Sequence, residues 1–229
     1  MPADKSALGH LPLAAFQYCE AMRQASSRGW YVFPPEDLSL HYDGYQVYIA
    51  EDGDWVPLFS RPFGEDFGEV WNQTAPPEFR NHAPDFLTSL SDIGTVQIWS
   101  GFFVATAPGF GIRVRPLVNI HKTATFYCHE AIVETDSFQP CPLFVNIKIV
   151  QTGVEIQIRR EFPLFQVELV PTDPVGTQDS LDSIADSIAG PQFPWESLRR
   201  TLRIDGVSEP RKSAGQYGAA IRKRNRQAG

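Results

Sequence analysis

Residues 101–121, GFFVATAPGFGIRVRPLVNIH, and residues 130–171, EAIVETDSFQPCPLFVNIKIVQTGVEIQIRREFPLFQVELVP, decide the fold. Apolar and polar residues alternate along both stretches, and the helical spacing of three and four is missing. In Phe144-Val-Asn-Ile-Lys-Ile-Val150, period two puts Asn146 and Lys148 on one face and Val145, Ile147 and Ile149 on the other. Ala107-Pro-Gly109 and Thr152-Gly153 are turn sequences, because proline presets one backbone angle and glycine supplies the left-handed one. The pattern predicts strands over 95–100, 102–106, 111–117, 125–134, 143–151, 154–158 and 165–170.

Outward from this core, residues 11–27 carry Leu13, Phe16, Ala21 and Met22 at helical spacing, and Gly29 is a stop signal. Trp30–Phe33 is a short strand ended by two prolines, and Asp43-Gly44 between residues 38–42 and 45–50 is a hairpin signal. A further strand is expected over 55–59. Residues 60–92 (SRPFGEDFGEVWNQTAPPEFRNHAPDF and onward) read as a long aromatic-rich loop, either a lid or an irregular segment packed through Phe63, Phe67, Trp71, Phe79 and Phe86. Beyond Pro171, residues 172–178 form a linker, and 179–189 and 194–200 are expected short helices, the second opening on Pro194. The expected domains are therefore 1–171, a β-rich globule with an N-terminal helix, and 172–229, a linker with short helices and a basic tail. The expected fold class is mainly β, an antiparallel folded-over sheet (β-clip or barrel-like sandwich) with a helical C-terminal appendage.

Composition narrows the function classes. The chain has 229 residues, 42% hydrophobic, and a net charge of −7. From Arg199 onward nine Lys/Arg stand against two acids, so that segment carries +7 and the first 198 residues carry −14. An acidic body disfavours nucleic-acid binding by the core and leaves the tail, Arg222-Lys-Arg-Asn-Arg226, as the segment open to it. Cys19, Cys128 and Cys141 cannot all pair within one copy and form no Cys-x-x-Cys, which fits reduced thiols in the cytoplasm. The first residues lack a signal-peptide pattern, and no apolar run approaches the ~20 residues of a membrane span. No nucleotide-binding glycine loop, His-Glu-x-x-His or Gly-x-Ser-x-Gly occurs.

The residues that could carry chemistry lie on the β core. Glu134 and Asp136, two apart, would leave one face of a strand as a carboxylate pair suited to acid–base work, or else end an exposed strand before a turn. Arg113 and Arg115 share a face and form a clamp for a carboxylate or phosphate; the alternative is a structural ion-pair network, with Glu134 and Asp136 as the expected partners. Asn119 and His121, with His129 on the next strand, could converge with Glu134 as a metal centre, although histidines at such spacing are as often simple surface groups. Asn146 is the amide on an apolar strand that calls for a partner, with Glu134 or Asn119 as candidates. Trp71, with Phe63, Phe67, Trp55 and Trp99, could wall a ligand pocket or serve as ordinary core.

Residues Arg28-Gly-Trp30, Tyr42-Asp-Gly44, 107–119 (APGFGIRVRPLVN), 131–136 (AIVETD), 142–149 (PLFVNIKI) and 161–171 (EFPLFQVELVP), with a later Trp195 and a basic end, resemble an uncharacterised bacterial domain family. Glu130 and Arg160 stand where that family commonly has glycine, so the resemblance is to a divergent member, and it implies no activity. A weaker similarity, at the level of the fold, is to the β-clip of dUTP pyrophosphatase and dCTP deaminase. Asp43-Gly-Tyr45, Arg115-Pro-Leu-Val118, 132–136 (IVETD) and 162–166 (FPLFQ) follow the order of those enzymes' motifs. Arg115 is followed by Pro and Leu rather than phosphate-holding serines, Phe138 stands near the position of a base-stacking Tyr, and the glycine-rich phosphate lid has no counterpart. The resemblance implies the fold, and counts against that catalysis.

Three functional readings follow. The first is a β domain that binds a small molecule or peptide between the sheet and the 60–92 segment. The second is a hydrolase-like enzyme using Glu134 and Asp136, with Arg113 and Arg115 gripping an anionic, nucleotide-like substrate. The third is a metalloenzyme using His121, His129 and Glu134. No cofactor is assigned by the sequence. The expected partners are the ligand and a second copy of the chain, as β-clip proteins often assemble, and not a membrane.

Overall fold

The computed structural model describes residues 1–64, 66–120 and 125–172, together with Lys223, Arg226 and Gln227. The chain divides into two compact units, one made of Met1–Ala3 and Arg28–Asp173, the other of Asp4–Ser27 and Pro174–Gly229. The expected helices at 179–189 and 194–200 and nearly all of the basic tail lie outside the described residues.

In the second unit residues 11–27 form two short helices, α1 (Leu13–Tyr18) and α2 (Glu20–Ser26), where one helix was expected. The break falls at Cys19, whose backbone is extended (φ −105, ψ 90). Within this unit Arg23 pairs with Glu20 at 2.9 Å and lies 5.2 Å above the Phe16 ring, which holds the two helices' side chains together.

The first unit is mainly β. Its strands are β1 (Trp30–Val32), β2 (Leu38–Tyr42), β3 (Val47–Glu51), β4 (Asp54–Pro57), β5 (Ser60–Pro62), β6 (Asp85–Ser89), β7 (Thr95–Val104), β8 (Phe110–Arg115), β9 (Phe126–Cys128), β10 (Ala131–Val133), β11 (Cys141–Ile149), β12 (Glu155–Ile158) and β13 (Phe165–Pro171). Among the described residues they form three antiparallel sheets, in the orders β1-β13-β8-β10, β5-β6-β7-β11-β9 and β12-β2-β3-β4, and none closes into a barrel.

The alternation of the sequence is why the sheets share one core. Leu38, Leu40 and Tyr42 of β2 are buried while Ser39 and His41 face outward, and β11 repeats the pattern with Leu143, Val145, Ile147 and Ile149 inward. All three sheets contribute to the core, through Val32, Val114 and Val167, through Leu87, Ile98 and Ile147, and through Leu40, Ile49 and Ile156. Two expected strands, 95–100 and 102–106, are one continuous β7, with Gly101 (φ 81) inside it and a register shift opposite, between Pro142 and Phe144. The expected single strand 125–134 is instead two, β9 and β10, which join different sheets. Gly29 (φ 76) carries a close approach: a Cβ there would lie 1.8 Å from the Val167 carbonyl oxygen.

The described residues of the 60–92 segment are not loop throughout. They supply β5, a helix α3 (Phe67–Thr74), a 3-10 turn (Pro77–Phe79) and β6. The two ends pair with each other, Ser60 with Thr88 and Arg61 with Leu87, so α3 is an excursion from the edge of the five-stranded sheet.

Candidate functional site: an aromatic recess at the sheet edge

The excursion brings rings together. Phe63 packs against Trp99 (centroids 5.2 Å), Phe86 (5.6 Å) and Phe67 (5.4 Å), and Phe67 lies 5.4 Å from Trp99 and 6.0 Å from Trp71. Trp99 meets Phe103 at 5.4 Å, and Trp71 stacks over Phe103 at 6.5 Å and 21°. Mostly tilted or edge-on geometry lets each ring's positive edge meet a neighbour's negative face. Trp99 and Phe86 are buried, whereas Phe103, Phe79 and Val70 are exposed. The cluster therefore runs from the core to the surface: Phe86 and Trp99 are buried, Phe63 packs against the core, and Trp71 stands toward the outer end.

At that outer end Trp71, Thr74, Ala75, Pro76 and Phe79 line a cavity of about 320 Å³. The indole N–H of Trp71 donates to the Phe79 carbonyl at 2.7 Å, so its one polar group is satisfied and its ring is fixed. Asn72 reinforces the geometry, its Nδ2 donating to Asn81 Oδ1 at 2.9 Å and its Oδ1 accepting from the Asn81 N–H at 2.6 Å. Asn81 holds a left-handed φ of 64. Trp55, expected with this group, lies elsewhere, 5.5 Å from His41 on the β12-β2-β3-β4 sheet.

Arg113 and Arg115 do share a face, as expected, but the carboxylates they meet are different ones. The register sets Arg113 opposite Glu168 and Arg115 opposite Gln166. Arg115 Nη2 lies 2.7 Å from Glu168 Oε2, Arg113 Nη1 3.7 Å from Oε1 and Arg28 Nη1 4.0 Å from Oε1. Arg113 also reaches Glu130, Nε to Oε1, at 3.3 Å. Glu168 is buried, with its side chain 7% exposed, and Gln166 beside it is fully buried, its amide accepting from the Val118 N–H at 3.2 Å and donating to the Arg28 carbonyl at 2.5 Å. A buried carboxylate facing three guanidiniums is a structural ion-pair network.

Glu134 and Asp136 are not side by side on a strand, because β10 ends at Val133. Glu134 is exposed and opens a turn, its carbonyl accepting from the N–H groups of Ser137 and Phe138. Asp136 Oδ2 accepts from the Gly109 N–H at 2.9 Å, and that bond chiefly holds its carboxyl below the usual aspartate range. It ties the 107–110 turn to the 134–137 turn, and Thr172 Oγ1 adds a longer contact at 3.5 Å.

The remaining candidates disperse. Asn119 sits in a turn past the end of β8 with a left-handed φ of 59, and His121 lies outside the described residues. His129 donates its backbone N–H to the Asn146 carbonyl at 2.8 Å and its ring meets Tyr127 edge-on at 5.1 Å. The Asn146 side chain points away from the core; its Oδ1 accepts from Gln97 Nε2 at 3.1 Å, so its partner is Gln97 and not Glu134 or Asn119. Among the described residues no three His, Cys, Asp or Glu side chains gather as metal ligands. Cys19, Cys128 and Cys141 are all free thiols, and no helix among the described residues is long and apolar enough to cross a membrane.

Sequence reasoning missed Glu168 as the partner of the two arginines. The signal was present: Gln166 and Glu168 are two polar residues at period two inside FQVELV, on the strand that antiparallel pairing sets beside β8. Ala75 and Pro76 were missed as cavity walls because the helix that places them was not foreseen.

By fold this is a mainly β, antiparallel unit with an aromatic recess at the edge of its five-stranded sheet. Comparison with protein-family models, curated proteins and solved structures finds no match.

Proposed function

We propose that the chain is a ligand-binding β domain and that the recess walled by Trp71, Ala75, Pro76 and Phe79 receives an apolar, ring-sized group of a small molecule or peptide. The observation that carries this reading is the Trp71 indole, locked by its hydrogen bond to Phe79 and presenting a rigid ring face to a cavity of about 320 Å³, at the lower end of ligand-site sizes. Ring faces fixed in advance lose little freedom on binding, which favours affinity for apolar groups. Thr74 is the one polar side chain in the lining, so orientation of the ligand comes from shape and from the exposed backbone near Phe79. The exposed rings of Phe79 and Phe103 extend the apolar surface beyond the cavity, which suits a peptide side chain as well as a free ligand. Free thiols at all three cysteines support a reducing, cytoplasmic setting.

The hydrolase-like reading loses support, because Arg113 and Arg115 face Glu168 while Asp136 serves a turn.

The test uses N-phenyl-1-naphthylamine, a neutral apolar fluorophore, with the whole chain. Binding enhances its emission; Trp71→Ala is expected to lower affinity at least about fivefold, in line with loss of one aromatic wall, while Trp71→Phe retains most of it and Glu134→Gln leaves it unchanged. Equal binding by wild type and Trp71→Ala, with the near-ultraviolet circular dichroism of both intact, removes the reading.

A further inference from the structure

A second surface, on a different sheet, has the chemistry of a cation receptor. On the outward side of β12-β2-β3-β4, the register places Glu155 beside His41, His41 beside Tyr48, and Ala50 beside Trp55. The His41 ring lies 6.1 Å from Tyr48 and 5.5 Å from Trp55, so three rings form a continuous strip. The cross-strand partner of Trp55 is the small Ala50, and Trp55 is 43% exposed. The core-facing positions of these strands are filled by Leu38, Leu40, Val47 and Ile49, so the rings stand on the opposite face.

Carboxylates border the strip. Asp43 Oδ2 accepts from the Tyr48 hydroxyl at 3.1 Å, and its Oδ1 is fixed by the N–H groups of Tyr45 and Gln46, both at 2.8 Å. Glu155 Oε1 accepts from Ser39 at 2.9 Å and Gln157 at 3.0 Å. Both are exposed and each keeps further acceptor capacity. Residues 30–59 hold six Asp/Glu and no Lys or Arg. Arg61 offsets Glu36 (3.1 Å) and Glu51 (3.7 Å), and Arg159 offsets Asp37 (3.6 Å), whereas Asp43 and Asp54 have no lysine or arginine ion pair among the described residues.

We propose that this face binds an arginine-bearing peptide segment of a partner, with the guanidinium stacked on the Trp55–His41 strip and its N–H groups donating to Asp43 and Glu155. A guanidinium suits both halves of the site: it is planar and weakly hydrated, so it stacks on rings, and its fork of donors matches fixed carboxylates. The negative charge of the sheet supplies the complementarity that a neutral ligand would not use.

The experiment uses the whole chain and a fluorescein-labelled peptide with three arginines spaced by Gly-Ser, read by anisotropy, against the same peptide with citrulline in place of arginine. The arginine peptide is expected to bind at least about tenfold tighter. Trp55→Ala and Glu155→Gln are each expected to weaken it about threefold to tenfold, with Trp55→Phe recovering part of the loss and Glu69→Gln, on α3, leaving it unchanged. The proposal fails if Trp55→Ala and Trp55→Phe both bind like wild type, if Glu69→Gln loses as much as Glu155→Gln, which marks mere attraction to an acidic protein, or if citrulline binds as well as arginine. Quenching of Trp55 by maltotriose in preference to the arginine peptide likewise overturns it in favour of a sugar site.

Discussion

Arg115 and Glu168 meet at 2.7 Å with side chains only 13% and 7% exposed, on adjacent strands of a sheet whose other face is hydrophobic core. Removing the acid leaves Arg113 and Arg115 facing each other without their shared counter-charge. Glu168→Ala is expected to cost about 3–5 kcal/mol of stability, whereas Glu134→Ala, on an exposed turn, stays within about 0.5 kcal/mol. Urea denaturation of the two variants beside wild type checks this; equal midpoints would mean the network does not hold the sheet.

Gly29 and Gly53 separate backbone strain from steric clash. Both have positive φ, at 76 and 91, but an added Cβ would meet the Val167 carbonyl oxygen at 1.8 Å in the first case and nothing within 4 Å in the second. Gly53→Ala is expected to pay only the left-handed penalty of about 1–2 kcal/mol. Gly29→Ala must also push β1 away from β13, and should lower the melting temperature by clearly more, or abolish folding. Thermal melts of both proteins decide it.

Acidification should weaken the fold through its turn carboxylates. Asp136 is held low chiefly by the Gly109 N–H, Asp43 by the Gln46 N–H and Asp92 by the Thr95 hydroxyl, with Lys148 2.9 Å from Asp92. A carboxyl whose folded pKa lies below its unfolded value contributes stability above the unfolded value, and that contribution disappears as pH falls through the folded one. The stabilisation is therefore complete at neutral pH and lost below about pH 4. Melting temperatures from pH 7 to pH 3 should fall on the acid side, and less steeply for Asp136→Asn than for wild type; parallel profiles would remove Asp136 as a contributor.

Burial raises the Cys141 thiol above its ordinary value, leaving less thiolate at neutral pH. Alkylation of native protein by iodoacetamide, followed by peptide mass spectrometry, should show Cys141 reacting more slowly than the same residue in urea-unfolded chain, and speeding up as pH rises. Equal rates in the two states would contradict the burial.

Period two in 144–150 and 165–170 made the β core legible from sequence, because alternation is imposed by the pleat itself. The pairing of Arg113 with Arg115 on one face was legible for the same reason. Which acid faces them was not, since alternation gives a side but not a neighbour: β8 lies between β10 and β13, and the buried acid comes from β13, the strand farther along the chain. The α3 helix was hidden because Gly68, Asn72 and Thr74 are weak helix formers; the Trp71–Phe67–Phe103 contacts and the pairing of β5 with β6 hold it instead. The break of the first helix at Cys19 and the split between β9 and β10 have no punctuation in the sequence, as neither a glycine nor a proline marks them.

Trp30 bonds to the ladder at Val167, and Leu40 to that at Ile156, so the earliest strands of the β unit have their partners near its far end. During translation those early segments emerge on the order of ten seconds before their mates, at ~5–20 residues per second. The ribosome thus releases exposed strand borders that wait for completion, and a chain stalled anywhere before residue 165 carries a half-built sheet for chaperones to guard.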